Sequence, residues 1–236
     1  QDAIKNFNDD ISEWNVSKVT NMRSIFDGAA AFNQDIGSWN VSSVRNMVDM
    51  FYGAVAFSQD IGSWDVTNVI YMFGMFESAF LFNQDIGSWD VGNVIDMGSM
   101  FQSAVSFNQD IGSWNVSNVI NMESMFFDAE AFSQDISKWD VSKVTNMFNM
   151  FRESPFNYDI SGWNVYKVES MGMMFKDNTY FDQNIRIWKL KSNDVTLDNM
   201  FQKATDMIAR FGDEKSAEYT STFGETPEIS FFNQPQ

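Results

Sequence analysis

The sequence contains no cysteine and no histidine. Thiolate and imidazole chemistry, disulfides and Cys/His metal sites are therefore excluded together. The missing cysteines do not indicate a compartment, because a chain with a large core needs no covalent staples. No apolar run reaches the ~18 residues of a bilayer span, and residues 1–10 lack the charged and apolar regions of a signal peptide. Basic residues are few, 15 Lys and Arg against 32 Asp and Glu, giving a net charge of -17. Between Arg45 and Lys138 there is none at all, while Asp49, Asp60, Asp65, Glu77, Asp85, Asp90 and Asp96 lie in the same stretch. Nucleic acid needs a basic stripe that can release counterions, so it is excluded as a partner. Partners of this acidic middle would be cationic or cation-bridged, unless the charge serves only to keep a repetitive apolar chain soluble.

What the sequence does have is repetition. Its 8 tryptophans share one register, Trp14, Trp39, Trp64, Trp89, Trp114, Trp139, Trp163 and Trp188, at a spacing of 25 broken by a single 24. Phenylalanine keeps the same step in two columns, one from Phe26 to Phe201 and one from Phe7 to Phe181. A fixed period of this length is the mark of a stacked repeat architecture, in which no single unit can bury its own apolar face.

Within one unit, Ile36, Trp39 and Val41 have the LxxLxL spacing that opens a leucine-rich repeat, and the alternation Trp39, Asn40, Val41 suits a short strand with one side chain outward. Val44, Met47, Met50, Phe51 and Ala54 then recur every three or four residues, as on one face of a short helix or 3₁₀ segment. The expected fold is an α/β solenoid, leucine-rich-repeat-like, of eight coils of about 25 residues. It would carry a short parallel sheet on one face and short helical or 3₁₀ returns opposite. The coils would occupy residues 1–201, with a C-terminal cap and tail over 202–236. Helical spacing at Met200, Phe201, Ala204, Met207, Ile208 and Phe211 precedes a polar stretch from Gly212 to Pro227, after which Ile229, Phe231 and Phe232 are expected to fold back on the last coil. The chain begins inside a unit, which suggests either a domain edge or an array that continues upstream.

The segments WNVSKVTNM (14–22), WDVSKVTNM (139–147), MFYGAVAFSQDIGSWDV (50–66) and MFESAFLFNQDIGSWDV (75–91) resemble the tandem repeat of the bacterial surface protein family, a relative of the BspA-like leucine-rich repeats. The resemblance covers about residues 7–201, and the last copy departs from it at Asn184, Lys189 and Lys191. It implies exposure at a cell surface or secretion, adhesion, and contact with proteins or glycans.

Three sets of residues are candidates for chemistry. Stacked aspartates at Asp35, Asp60, Asp85, Asp110 and Asp135, with Asp10 and Asp159 in the same column, would lie one coil rise apart and are candidates for calcium; the alternative is that each accepts N–H bonds in its own turn. The outward positions Asn40, Asp65, Asp90, Asn115 and Asp140, flanked by Ser42, Thr67 and Ser117, form a candidate binding face of short polar groups. The NVS sequons at Asn15, Asn40 and Asn115 permit N-glycosylation in a secreted eukaryotic chain. The methionine columns share the register of Phe and Val and read as core. A hydrolase needs one asymmetric carboxylate pair in a pocket, whereas a ladder supplies equivalent groups, so no enzyme is expected. The functional expectation is a surface interaction or adhesion module acting through a repetitive strand face and acidic edge. Alternatives are a structural building block that self-associates by stacking end to end or laterally and, more weakly, a glycan binder.

Overall fold

A computed structural model describes residues 2–191, 194–211 and 226–232. The repeats stack as in-register coils of turns. The expected sheet and helical returns are not found among the described residues. Among the described residues the helical elements are α1 (Asp2–Lys5), α2 (Thr205–Phe211) and a 3₁₀ turn at Ile229–Phe231, all outside the coils. Pairing between coils consists of isolated parallel bridges, Asn21↔Asn46↔Tyr71↔Asp96↔Asn121↔Asn146↔Ser170↔Thr196, each one residue wide. The α/β solenoid with a parallel sheet is therefore corrected to a stack of turns.

Each failed expectation has a physical reason. The side chains of Trp39 and Val41 point inward and Asn40 outward, as the alternation requires. Yet the Trp39 N–H donates to Ile36 O at 3.1 Å and the Val44 N–H to Val41 O at 2.8 Å, so this backbone closes turns on itself rather than pairing with a neighbour. A period of two reports an extended path, and it does not say where the N–H groups go.

The return is broken up by left-handed residues. In the second coil Asp49 has φ 54° and Gly53 φ 63°, and every coil repeats such a pair four residues apart, for example Ser99 and Ser103 or Asn149 and Glu153. Small polar residues and glycine take this conformation at least cost, which suits the Ser, Asp, Asn and Gly that fill most of these positions. Glu153, Met173 and Lys203, at φ 55°, 56° and 59°, are the bulky exceptions.

The consequence is an axial ladder. Alternate peptides are turned so that Met47, Asp49, Phe51 and Gly53 donate to Tyr71, Phe73, Met75 and Glu77 carbonyls of the next coil at 2.9, 2.8, 2.9 and 2.8 Å. A helix would spend these N–H groups within itself and leave the coils without backbone bonds between them. Other bonds run the opposite way, from the Ile70 N–H to Arg45 O at 2.9 Å and from the Leu81 N–H to Val55 O at 3.2 Å. The Trp64 indole N–H also reaches back, to Ile36 O at 3.1 Å.

The core lies inside the coils as continuous columns of rings. Phe51 stacks on Phe57 within its coil at 3.9 Å and on Phe76 of the next at 5.6 Å. Trp64, Trp89 and Trp114 follow one another at 6.5 Å, nearly parallel. Met47, Met50, Ala54 and Val44 complete the buried set, and their counterparts do the same in later coils. Coils also approach closely at their edges: a Cβ on Gly87 would sit 2.5 Å from Asp110 O.

Candidate functional site

The aspartate column is occupied by turn bonding. Asp35, Asp60, Asp85 and Asp110 each accept, through Oδ1, the N–H of the glycine two residues on, at 2.9–3.0 Å. Asp135 does the same for Ser137 at 2.9 Å, and Asn184 for Arg186 at 3.3 Å, so an amide fills the same role. The Ser137 hydroxyl and N–H together hold the Asp135 carboxyl below the ordinary carboxylate range, and Ser12 does so for Asp10, chiefly through its N–H. Among the described residues no three Asp or Glu side chains gather as a cation cage.

The outward positions behave alike. Asn40, Asp65, Asp90, Asn115 and Asp140 accept from the N–H groups of Ser42, Thr67, Gly92, Ser117 and Ser142 at 3.0–3.2 Å. The Ser142 hydroxyl, and secondarily its N–H, hold the Asp140 carboxyl below the ordinary carboxylate range. Asn15 and Asn40, two of the sequon residues, also accept from the hydroxyls of Ser17 and Ser42 at 2.7 Å, and all three sequon asparagines are exposed. These side chains project from the stack, but in turns rather than on a sheet. Beside them a groove of about 430 Å³ is lined by Arg45, Ile70, Ile95, Asn68, Asn93 and Asn118. The three amides already donate to Ser42, Thr67 and Gly92 carbonyls at 2.9, 2.8 and 2.7 Å.

On the flank formed by the left-handed residues, Glu77 and Asp49 face each other across adjacent coils. Half-burial, and secondarily the charge of Asp49, push the Glu77 carboxyl up to about 7. Desolvation raises Asp49 as well, against the opposing pull of Arg23, 3.5 Å away. Gln102 Nε2 donates to Glu77 Oε1 at 3.1 Å.

The largest departure from the repeat is at the N-terminal end. Trp39 is 5 % exposed whereas Trp14, in the same column, is 61 % exposed. Met50 is fully buried whereas Ile25, its counterpart, is 39 % exposed. These two residues rim an apolar pocket of about 280 Å³ that also takes in Ile4, Phe7, Val16, Val19, Met22, Phe26 and Trp39. The polar groups of this end are equally unmatched. Asn21, Arg23, Ile25 and Asp27 carry the carbonyls that correspond to the acceptors of every later coil, and no N–H of the described residues reaches them. The Thr20 N–H and the Trp14 indole N–H, whose counterparts bond to a preceding coil in each later repeat, also have no acceptor among the described residues. The one counterpart that is filled is the Lys5 carbonyl at the end of α1, which takes the Ala31 N–H at 2.9 Å.

The opposite end is closed. Phe232 stacks on Trp188 at 6.4 Å, Phe231 packs edge-on against Phe201 at 5.6 Å, and Thr226 Oγ1 accepts the Asn199 N–H at 2.8 Å. Arg210 in α2 donates to Asp182 O at 2.7 Å and pairs with its carboxylate. Most of the polar stretch expected before this return, 212–225, lies outside the described residues, as do 233–236 of the tail. Sequence reasoning noted the missing half-unit before Phe7 but did not identify Trp14 and Ile25 as exposed. The only local signal was Ile25 in a column that is otherwise methionine.

No curated protein matches the chain. One family does, described as "Mycoplasma protein of unknown function, DUF285", over residues 2–111, 59–155 and 137–230 in three overlapping stretches. Together these cover nearly the whole array of tandem repeats, and the chain belongs to the DUF285 family.

Proposed function

We propose that this chain is a protein-interaction module whose first coil packs against further polypeptide through Trp14 and Ile25. The observation that carries this reading is an apolar pocket lined by Trp14 and Ile25, beside four carbonyls, at Asn21, Arg23, Ile25 and Asp27, that no N–H of the described residues reaches. Exposed apolar surface rimmed by polar groups is characteristic of protein-binding sites, and an exposed tryptophan is a frequent anchor at their centres. An adhesive role at a cell surface, as the likeness to BspA-like repeats implies, is one setting for such a module.

Peptides selected by display against the intact chain, with Ile25→Asp as the counter-selection target, test the site. Binders that shield Trp14 from acrylamide quenching and lose affinity at least tenfold on Ile25→Asp support the reading. Binders that all leave Trp14 quenchable and ignore the substitution overturn it.

A further inference from the structure

The groove lined by Ile70, Ile95 and the three asparagines lies on the third to fifth coils, so it does not depend on what adjoins either end of the array. We infer that it docks a cationic amphipathic helix of another polypeptide, laid along the axis of the stack.

The repeat changes composition at this place. In the two columns that line the groove, Ser43 and Arg45 give way to Asn68 and Ile70, Asn93 and Ile95, and Asn118 and Ile120, before Lys143 and Thr145 follow. Three successive coils therefore share an apolar stripe with a basic residue beyond each end. Ile70 and Ile95 are half-buried and Ile120 is 46 % exposed. The core does not require them, since Arg45 and Thr145 occupy the same column in the coils on either side. A bounded apolar stripe in an otherwise polar column is the mark of a surface that meets a partner.

Hydrogen bonding selects a helix over a strand. The Ile95, Ile120 and Thr145 N–H groups donate to the Ile70, Ile95 and Ile120 carbonyls at 3.0, 2.9 and 2.9 Å, so the backbone along the stripe is already paired. An extended segment laid here would lose water from its own peptide groups and find no partner for them, whereas a helix satisfies its own backbone. Spacing agrees. Coils rise by about 4.8 Å and a helix returns to one face every ~5.4 Å, so across three coils the two patterns drift by only about 1.2 Å. Side chains on one face of an extended chain recur at about 6.8 Å and would slip by about 4 Å over the same distance.

Charge selects the flanks of that helix. The exposed Asp65 and Asp90 stand three residues before Asn68 and Asn93 in the same turns, and Asp96 follows Ile95. No Lys or Arg lies between Arg45 and Lys138 to neutralise them. Lys143 Nζ donates to Asn118 Oδ1 at 2.6 Å, but Asn68 and Asn93 Oδ1 have no donor among the described residues and supply two acceptors beside the stripe. Lys or Arg next to the apolar face of the partner meets both the carboxylates and these acceptors, and an acidic helix is repelled.

A displayed library of helical peptides with one apolar face, and with Lys, Glu or Ser at random on its flanks, tests this by selection on the intact chain. Ile95→Arg with Ile120→Arg disables the stripe, and the fold accepts it because Arg45 already stands in that column. Asp65→Asn with Asp90→Asn removes the flanking charge and keeps the turn bonds, as Asn40 and Asn115 do in theirs. The expected binders carry Lys on their flanks and gain helical circular dichroism on binding. They lose about tenfold in affinity on the first pair of substitutions and about threefold on the second. Trp14 should stay as open to acrylamide as in the free chain, and Ile25→Asp should change nothing. An empty selection overturns the inference, as do binders with Glu flanks, binders that stay extended, or binders indifferent to Ile95→Arg with Ile120→Arg in a folded variant. If every binder instead shields Trp14 and depends on Ile25, the first-coil reading stands and the groove inference falls.

Discussion

Replacing one tryptophan by phenylalanine at two positions of the same column isolates the contribution of a completed coil interface. Trp89 is buried, its indole N–H donates to Ile61 O at 3.1 Å, and it stacks on Trp64 and Trp114 at 6.5 Å. Trp89→Phe removes that bond; because Ile61 O keeps the Trp64 N–H at 3.1 Å, it is not orphaned. The lost bond is then worth about 1 kcal/mol rather than a full desolvation penalty. The missing ring atoms leave roughly 40 Å³, which at ~24 cal/mol per Å³ adds about 1 kcal/mol. The sum, about 2 kcal/mol, corresponds to a fall in melting temperature of roughly 4–8 °C for a cooperative chain of this size. Trp14 has no indole acceptor among the described residues and is largely exposed, so Trp14→Phe should stay within about 0.5 kcal/mol of the native chain. Calorimetry together with urea unfolding followed by circular dichroism measures both changes, and an unchanged urea slope verifies that the unfolding unit is the same. Equal destabilisation by the two substitutions would refute the reasoning, because it would mean that Trp14 is packed as tightly as Trp89.

Three further outcomes are expected. Glu77 has a folded carboxyl raised to about 7 against a usual value of 4.5, so the folded state holds more proton than the unfolded state between these values and stability falls as pH rises through that window. Glu77→Gln should flatten that part of the melting-temperature profile and raise the melting point at pH 8; a native profile that climbs from pH 5 to pH 7.5 and does not respond to the substitution would refute this. Asp85→Ala should cost about 1 kcal/mol through loss of the bond to the Gly87 N–H, whereas Asp85→Asn keeps Oδ1 in place and should cost only a few tenths, as read by urea midpoints. Exchanging excess EDTA for millimolar CaCl₂ at matched ionic strength should leave the melting temperature unchanged, since the aspartates serve separate turns and do not converge; a rise of several degrees would instead make the column a cation ladder.

How much of this molecule was legible beforehand depends on what each pattern reports. The period of 25 fixed the columns, and with them the partners of Phe51, Trp64 and Met72, because identical units can bury their apolar faces only against their own kind. The inward and outward registers at Trp39, Asn40 and Val41 were equally plain, and so was the turn-bonding alternative for Asp35 and its column. The choice of turns over strand and helix was not. Side-chain spacings of two and of three to four describe which face a residue takes, and stacked turns produce both. The deciding feature was the left-handed pair at Asp49 and Gly53, and its counterparts include Ser, Asn, Glu, Lys and Met, a mixture with no single sequence mark.

The sequence by itself determined the repeat, the composition of the core and the absence of thiol and imidazole chemistry, all properties of residue identity and spacing. The tertiary structure decided that alternate N–H groups run along the stack, that Phe231 and Phe232 fold back on the last coil, and that Trp14 is exposed beside four carbonyls with no N–H partner among the described residues. Hydrogen-bond direction and exposure at an end are set by what stands next to a coil, and near-identical units carry no local record of their neighbours.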